Sequence, residues 1–291
     1  GLTTPYTVAV DINGNEQTGT GILALSTFGP ITAGAGYFNG TNVYDSGNGI
    51  THIFNKFSTK NLLDTTGTGK GGLDMYVATV QGDLDFVKLE AWYAGLQETF
   101  NTYTLAATSN LDLAENAKLG LEARYVNLKL KQDFVGANTE TKNDMFRFAV
   151  DGKFSIVNAR LAYTMTGKNG GLTALDQDAK NTSLGWAITS NGIADADYYQ
   201  AALGADILDN LNFTLNYGSL KAKEIEATKT VATDMGGIKL EEVYGQLTYK
   251  MSKNLSTYLR YGTFTAKENQ TGNSDKFEDQ TRGRIQVAYT F

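Results

Sequence analysis

Alternation of apolar and polar residues, repeated along most of this 291-residue chain, restricts its fold more than any other feature. In the segment 243–251 the apolar Val243 and Leu247 occupy odd positions, whereas Gln246 and Lys250 occupy even positions. Successive side chains of a β-strand point to opposite faces, so this period of two predicts strands with one apolar and one polar face. About fourteen segments qualify: 3–12, 18–28, 31–38, 73–80, 85–97, 102–109, 117–131, 144–154, 157–166, 196–207, 211–222, 239–251, 255–266 and 281–291.

The connections between these segments predict that the strands close into a barrel. Tight turns are expected at Asp83, Ser155–Ile156, Asp209–Asn210 and Asn254. They alternate with long polar segments at 39–72, 132–143, 167–195, 223–238 and 267–280. Short turns at one end and long loops at the other are typical of outer-membrane barrels. The alternative is a soluble β-sandwich, but aromatic residues near the ends of the apolar faces and charges within the polar faces favour a barrel. The predicted fold class is all-β, one antiparallel transmembrane β-barrel domain over residues 1–291.

Composition excludes several other classes of protein. No apolar run approaches the ~18 residues that a membrane-spanning helix needs. The 32 Gly and 16 Tyr suit antiparallel strands joined by tight turns, and the absence of Cys excludes a disulfide framework. The chain has 31 acidic and 25 basic residues, a net charge of −6, which argues against binding to nucleic acid.

The last strand candidate, 281–291, carries the most diagnostic pattern. Ile285, Val287, Tyr289 and Phe291 fall on one face, and the chain ends on an aromatic residue. Such an ending is typical of the signal that the outer-membrane assembly machinery reads, and we assign that signal to Tyr289 and Phe291. The alternative is an ordinary edge strand, but an exposed apolar edge would promote aggregation, and pairing it with another strand removes that hazard.

Several short stretches resemble the major outer membrane porins of Campylobacter and its epsilonproteobacterial relatives. They are Gly1–Thr3 with Ala9–Asp11, Lys239–Glu241, Tyr249–Leu255 and Arg284–Phe291. The resemblance implies a homotrimer of barrels with roughly eighteen strands, integral to the outer membrane of a Gram-negative bacterium. Those proteins are longer, and no signal peptide precedes Gly1, so we expect that N-terminal strands are missing from this chain. A complete smaller barrel is the alternative.

The resemblance and the strand pattern together predict a water-filled channel for passive diffusion of small hydrophilic solutes and ions. The expected partners are outer-membrane lipid and lipopolysaccharide, the barrel-assembly machinery, further copies of the chain and the transported solutes, with no nucleic acid. The excess of acidic residues predicts a mild preference for cations. Two other functions stay open: a surface adhesin or receptor that acts through its long loops, and a substrate-specific channel.

A pore of this type needs charged wall residues and a loop that narrows the lumen. The longest loop, 39–72, is the predicted constriction loop, since it combines charged residues with an apolar cluster; its charged candidates are Asp45, Lys56 and Asp64. The alternative is an extracellular loop with a small core of its own. The predicted pore-lining residues lie on polar strand faces: Lys88, Glu90, Glu122, Arg124, Arg147, Asp151, Arg160, Glu242, Arg260 and Arg284. About half of them are expected to pair with neighbouring strands instead.

The resemblance also implies a Ca²⁺ ion in the constriction, the only cofactor expected. Asp45 and Asp64 are the candidate ligands, with Asp176 and Asp178 as further donors, because Ca²⁺ requires several oxygen ligands. Solvated loop aspartates are the simpler alternative. No catalytic residue is assigned, because the single His52 lies in a predicted loop, where no rigid wall would fix it beside a partner. The sequence therefore predicts a protein that is not an enzyme.

Overall fold

The computed structural model describes residues 3–10, 16, 19–39, 74–224, 237–270 and 272–291. In these residues thirteen antiparallel strands form a single sheet, in which each strand pairs with its neighbours in the sequence. The only helix of this part is the short α1 (Gln132–Val135). The strands are β1 (Thr20–Phe28), β2 (Ile31–Asn39), β3 (Met75–Leu84), β4 (Val87–Leu96), β5 (Phe100–Ala114), β6 (Ala117–Leu130), β7 (Lys142–Phe154), β8 (Val157–Thr166), β9 (Ala196–Leu208), β10 (Leu211–Ala222), β11 (Ile238–Lys250), β12 (Leu255–Glu268) and β13 (Lys276–Tyr289).

The connections divide the sheet into a turn end and a loop end, which confirms the predicted asymmetry. At the turn end, connections of two to four residues join β1 to β2 and each following odd strand to the next even one. Gly29, Asp85 and Ser155 adopt positive φ angles of 57°, 51° and 56° in three of these turns. The loop end carries the longer connections, including 131–141 and 167–195, although the three-residue connection 97–99 also lies there. The tight turn expected at Asp83 lies two residues later, because Asp83 still pairs with Lys88 in the ladder.

One predicted strand is wrong. Residues 3–10 of the candidate 3–12 are not part of the sheet and make only isolated bridges, such as Thr4 with Thr7. The alternation there does not reflect a strand. Tyr6 is fully buried in the interior of the fold, although its segment is not part of the sheet. Pro5 also lacks the N–H group that a central strand would use in its ladder.

On the two faces of the sheet, the exposure of apolar and charged side chains is the reverse of that in a soluble protein. We call the face that carries Thr104, Arg147 and Glu242 the inner face, and the opposite one the outer face. On the outer face Leu161 and Leu203 are 65% and 61% exposed, whereas Arg147 and Glu242 on the inner face are only 6% and 3% exposed. An outer surface of exposed large apolar residues suits hydrocarbon rather than water. In the described part of the chain, no helix is long and apolar enough to cross a membrane.

Contacts made by the connection 167–195, which we call the inner loop, show that the sheet is strongly curved. Asn181 donates to Thr104 on β5, and the Trp186 N–H donates to Glu242 on β11. In a flat sheet six strand spacings would separate these strands by about 29 Å. The chain from Asn181 to Trp186 spans at most about 18 Å. Side chains stand roughly perpendicular to a sheet, so they add little distance in the plane of the sheet. The sheet therefore curls around the inner loop.

Two apolar clusters hold the inner loop inside this curve, at the loop end of the sheet. The first joins the start of the inner loop to β3–β6 and to α1 and comprises Tyr6, Met75, Val77, Ala94, Leu96, Phe100, Leu128, Leu130, Phe134, Leu172, Ala174, Leu175 and Ala179. The second joins the end of the inner loop to β9–β12 and comprises Ile188, Ile193, Ala196, Tyr198, Leu220, Ala222, Ile238, Leu240, Phe264 and Ala266. Each buried large aliphatic side chain contributes about 1.5–3 kcal/mol, so the inner loop is a fixed part of the fold.

Candidate constriction site on the inner face

The inner loop narrows the space within the curved sheet through a short hairpin, residues 183–190, which we call the tip. The Gly185 N–H donates to the Ile188 carbonyl at 2.8 Å and closes its turn. The Ser190 N–H donates to the Ser183 carbonyl at 2.9 Å, and the Ser183 N–H donates to the Ser190 hydroxyl at the same distance. These bonds give the tip a defined shape before it touches the wall.

On one side, Arg147 of β7 holds the inner loop by its carbonyl groups. Its Nη1 donates to the Thr182 carbonyl at 2.5 Å and to the Ser183 hydroxyl at 3.2 Å, and its Nη2 donates to the Lys180 carbonyl at 2.7 Å. Its Nε donates to Glu122 of β6 at 2.7 Å. The planar guanidinium group thereby joins the wall to Lys180, Thr182 and Ser183 while its Nε binds Glu122. A lysine ammonium group lacks this fixed fork of donors.

Asn181 makes a second attachment to the same wall. Its side-chain oxygen accepts from Arg124 Nη1 at 3.1 Å, and its side-chain nitrogen donates to the Thr104 hydroxyl at 2.7 Å. Ser183 and Thr164 share a hydroxyl–hydroxyl hydrogen bond of 2.5 Å. Residues 180–183 of the inner loop are thus attached to β5–β8 through polar groups.

On the opposite side, Glu242 of β11 holds the tip by its N–H groups. Its two carboxylate oxygens accept from the N–H groups of Trp186 and Ala187, at 2.9 and 2.7 Å. A cation on one wall therefore binds loop carbonyls, and an anion on the other wall binds loop amides. Each charge meets the backbone group of complementary polarity, so both walls stabilise one loop position.

Beside Glu242, the Trp186 ring lies against a group of arginines and tyrosines that we call the arginine–aromatic cluster. The Arg282 and Arg260 guanidinium carbons lie 4.8 and 5.2 Å from the centre of the Trp186 ring. Arg260 also lies 5.0 Å from the rings of both Tyr244 and Tyr258. These distances are within the range of cation–π attraction. Arg284 is the ladder partner of Arg260 and adds a third guanidinium group to this wall.

The N-terminal segment 4–8 also lies on the inner side and contacts the inner loop. Its Pro5 and Tyr6 carbonyls accept from the N–H groups of Asn181 and Leu175, at 2.8 and 2.9 Å. The Val8 N–H donates to Asp176 at 3.1 Å. Burial raises the pKa of the Tyr6 hydroxyl well above its usual value. These contacts thicken the obstruction on the side of the first apolar cluster.

Toward the turn end, the inner face is lined by weaker charge pairs. Lys153 lies 2.5 Å from Asp206, and Arg160 lies 2.6 Å from Asp151. All four side chains are between 39% and 54% exposed. Exposed pairs of this kind contribute at most about 1 kcal/mol, so their main effect is on the electric field that a solute meets.

The structure places all ten predicted pore-lining residues on the inner face. Their strand positions alternate with the exposed apolar residues, and the ladder pairs Gln81 with Glu90, Arg124 with Arg147, Asp151 with Arg160 and Arg260 with Arg284. Their role in conduction stays a prediction. The predicted constriction residues Asp45, Lys56 and Asp64, and the rest of 40–72, lie outside the described residues.

Sequence reasoning did not single out the inner loop as a constriction, although it contains a clear signal. The fourteen residues 181–194 include no charged side chain but do include Trp186, Ile188 and Ile193. A long loop exposed to water would rarely lack charges over that length. Lack of charge, rather than length alone, distinguishes a connection that folds inward. Sequence reasoning likewise missed Arg282 as a member of the arginine–aromatic cluster.

No group of three or more His, Asp or Glu side chains suited to a metal ion occurs in the described part of the chain. Asp45 and Asp64 lie outside that part, so calcium binding stays a prediction. Asp176, one of the further donors, accepts the Val8 N–H. At the chain end the rings of Tyr289 and Phe291 meet edge to face at 5.1 Å, and both are exposed; their role as an assembly signal also stays a prediction.

No family model matches the sequence, and no curated protein matches it. Solved structures do match. OccAB2 of Acinetobacter baumannii has a TM-score of 0.70 at 17% identity, over 100% of this chain and 72% of that protein. The outer membrane protein OpdK of Pseudomonas aeruginosa, in its structure with vanillate, has a TM-score of 0.67 at 16% identity, over 94% and 68%. A BenF-like porin from Pseudomonas fluorescens has a TM-score of 0.70 at 12% identity, over 99% and 70%.

These neighbours come from Pseudomonas and Acinetobacter, so they support the broader part of the predicted resemblance, to outer-membrane porins. The narrower resemblance to the Campylobacter family stays a prediction. At such low identity the similarity establishes architecture only. The thirteen-stranded antiparallel sheet, curved around an inner loop and apolar on its outer face, has the fold of the outer-membrane β-barrel porins.

Proposed function

We propose that the chain forms a water-filled channel in a bacterial outer membrane, through which small hydrophilic solutes diffuse passively. One observation carries this proposal: the inner loop is fixed across the interior of a sheet whose outer face is apolar and whose inner face is charged. An apolar outer face is suited to lipid, and a charged inner face is suited to water. A loop fixed across the interior restricts what passes without requiring an energy source.

The test is reconstitution of the purified chain into planar bilayers and liposomes. Stepwise conductance increments and swelling of liposomes in small sugars are the expected results. Folded protein that inserts into the bilayer but conducts no ions would refute the channel. The surface-binding alternative would then gain support, although residues 170–177 and 188–194 of the inner loop are buried and contribute no surface to a binding partner.

The arginine–aromatic cluster favours the second candidate, a substrate-specific channel. Three guanidinium groups together with Trp186, Tyr244 and Tyr258 suit small anions that carry an aromatic ring, by charge and by stacking. Among the similar structures, OpdK was crystallised with vanillate, which is an aromatic carboxylate. Current that saturates with vanillate concentration supports this candidate, and a linear dependence supports general diffusion.

The overall charge supports the other selectivity, a mild preference for cations. The chain has a net charge of −6, and diffuse charge acts on ions before they reach a local site. Reversal potentials in a KCl gradient decide between cation and anion preference. A small reversal potential with the sign of a cation-selective channel supports the effect of the net charge. Strong anion selectivity would instead show that the arginines dominate.

The homotrimer, the barrel-assembly machinery and lipopolysaccharide are proposed as partners on the strength of the porin fold. The exposed apolar outer face supports contact with lipid or with other copies. The Campylobacter-type relationship, the Ca²⁺ ion and the absence of catalysis are retained as proposals on the sequence features that suggested them. Mass determination of the native assembly in detergent tests the trimer, and a monomer would refute it.

A further inference from the structure

Glu242 holds the tip through an arrangement that few other side chains could replace. It is 3% exposed, and its two oxygens accept one backbone N–H each, from Trp186 and Ala187. A buried carboxylate without such donors is costly, because it loses hydration without compensation. The contact therefore stabilises the tip position and the charged state of the carboxylate together.

Glycine at position 185 is what allows the carboxylate to approach the tip. A Cβ atom added to Gly185 would lie 1.8 Å from Glu242 Oε1 and 2.8 Å from the Tyr198 hydroxyl oxygen. The same side chain also lies against Gly218, where an added Cβ would lie 3.3 Å from Glu242 Cγ and 3.4 Å from its Oε1. The carboxylate is thus enclosed by two residues without side chains, and its position leaves no space for even a methyl group on the tip.

The contact also fixes Trp186, because the N–H of this residue is one of the two that Glu242 binds. With the tip in this position, the indole ring covers Arg260 and Arg282, at 5.2 and 4.8 Å. Cation–π contacts are worth less than charge-assisted hydrogen bonds at partly exposed sites. The two hydrogen bonds to Glu242, rather than the ring contacts, therefore determine where Trp186 lies.

We propose that Glu242 is a positioning residue that acts as a latch: it holds the tip and Trp186 across the lumen, and its release widens the passage and uncovers Arg260 and Arg282. The latch rests on the proposed channel function. Release moves the half-buried residues 184–187, whereas Arg147 on one side and the buried Ile188 on the other keep the rest of the tip in place. Removing one charge-assisted hydrogen bond lowers the ratio of latched to released tips on the order of tenfold.

The first experiment measures single-channel conductance of the full chain in planar bilayers. Glu242→Ala removes both hydrogen bonds, and Glu242→Gln retains one acceptor. Gly185→Ala keeps the carboxylate but displaces it from the tip. It therefore separates the effect of losing the hydrogen bonds from the effect of losing the negative charge. The matched control is Glu241→Gln, which makes the same charge change as Glu242→Gln at the preceding residue. The partners of Glu241, Tyr217 and Lys239, lie on the outer face.

We expect a higher conductance and more frequent transitions for Glu242→Ala and Gly185→Ala, an intermediate result for Glu242→Gln, and no change for Glu241→Gln. Released variants also become more anion-selective, because Arg260 and Arg282 face the passage. A purely structural role for Glu242 would lower the yield of folded protein without this ordered change in conductance and selectivity.

A second experiment does not depend on conduction. The chain has only two tryptophans, so Trp92→Phe leaves Trp186 as the sole indole. Quenching of its fluorescence by acrylamide reports whether the ring is covered. In the Trp92→Phe protein, we expect the ratio of accessible to covered Trp186 to rise about tenfold for each hydrogen bond lost. Glu241→Gln should leave this ratio unchanged.

The two readouts separate failure of the latch from failure of the channel. If the parent protein does not conduct, the proposed function fails, and the quenching experiment still decides whether Glu242 positions Trp186. If the parent conducts and Glu242→Gln matches it in conductance, selectivity and quenching, the latch is refuted. Glu242→Gln is nearly isosteric, so it keeps the test decisive if the alanine variants do not fold.

Discussion

Replacing Arg147 by methionine tests whether the inner loop is fixed by the wall of the sheet. Methionine approximates the length of the arginine stem but cannot donate a hydrogen bond. The change removes the bonds to the Lys180 and Thr182 carbonyls, to the Ser183 hydroxyl and to Glu122. We expect the tip to loosen on this side while the surrounding strands remain paired.

The magnitude follows from the burial of the groups left behind. Removing one partner of a buried charge pair costs about 3–5 kcal/mol. Glu122 keeps 22% exposure and retains Arg124 at 3.7 Å, so part of its loss is offset. We therefore expect Arg147→Met to lower the free energy of unfolding by about 3 kcal/mol. Arg147→Lys keeps the charge and one donor group, and it should recover about 1 kcal/mol of that loss.

The assay is urea unfolding of the protein in lipid vesicles, followed by tryptophan fluorescence, together with limited digestion by trypsin. Cleavage after Lys180 reports directly on release of the loop, because the Lys180 carbonyl is one of the groups that Arg147 holds. Arg160→Met is the matched control: Arg160 lies on the same inner wall but is 40% exposed and pairs only with Asp151, so its loss should cost at most about 1 kcal/mol. Equal stability of the two variants, with trypsin cutting neither faster than the parent, would refute attachment of the loop by Arg147.

Three further predictions concern other parts of the molecule. Leu161→Arg, at an outer-face position that is 65% exposed, should lower stability in lipid by about 2–4 kcal/mol; near-neutral behaviour in the vesicle unfolding assay would show that this face meets water. The buried Tyr6 hydroxyl has no hydrogen-bond partner in the described part of the chain, so Tyr6→Phe should raise stability by about 1 kcal/mol; a clear loss would point to an unseen partner. Arg282→Gln should shift the reversal potential toward cations, and an unchanged potential in a KCl gradient would place this guanidinium outside the ion path.

Most of the strands could be predicted because their signal is local. The alternation within 243–251 reports which side chains face lipid and which face the interior, whatever the rest of the chain does. The same signal failed at residues 3–10, because alternation does not reveal whether a segment has a strand to pair with. There Tyr6 is buried in the first apolar cluster, which combines residues of the inner loop and of β3–β6, and not by pairing with a strand.

The constriction could not be predicted in the same way. The Asn181 contact to Thr104 joins residues that are 77 positions apart, and the Trp186 contact to Glu242 joins residues 56 positions apart. Such contacts depend on how far the sheet curls, and a sequence pattern of period two contains no information on curvature. The inner-face positions of Arg147 and Glu242 were foreseeable, but the loop segment that each one binds was not.

The N-terminal segment on the inner side has a consequence for the order of folding. In the described residues, every ladder joins strands that are consecutive in the sequence, so the sheet can grow one hairpin at a time with short loop closures. The hydrogen bond from Val8 to Asp176 instead spans 168 residues. Closing so long a segment is entropically unfavourable until the intervening strands have formed. We therefore expect residues 4–8 to dock last, so that an assembly intermediate exists in which the thirteen strands are paired but the interior is still open beside the first apolar cluster.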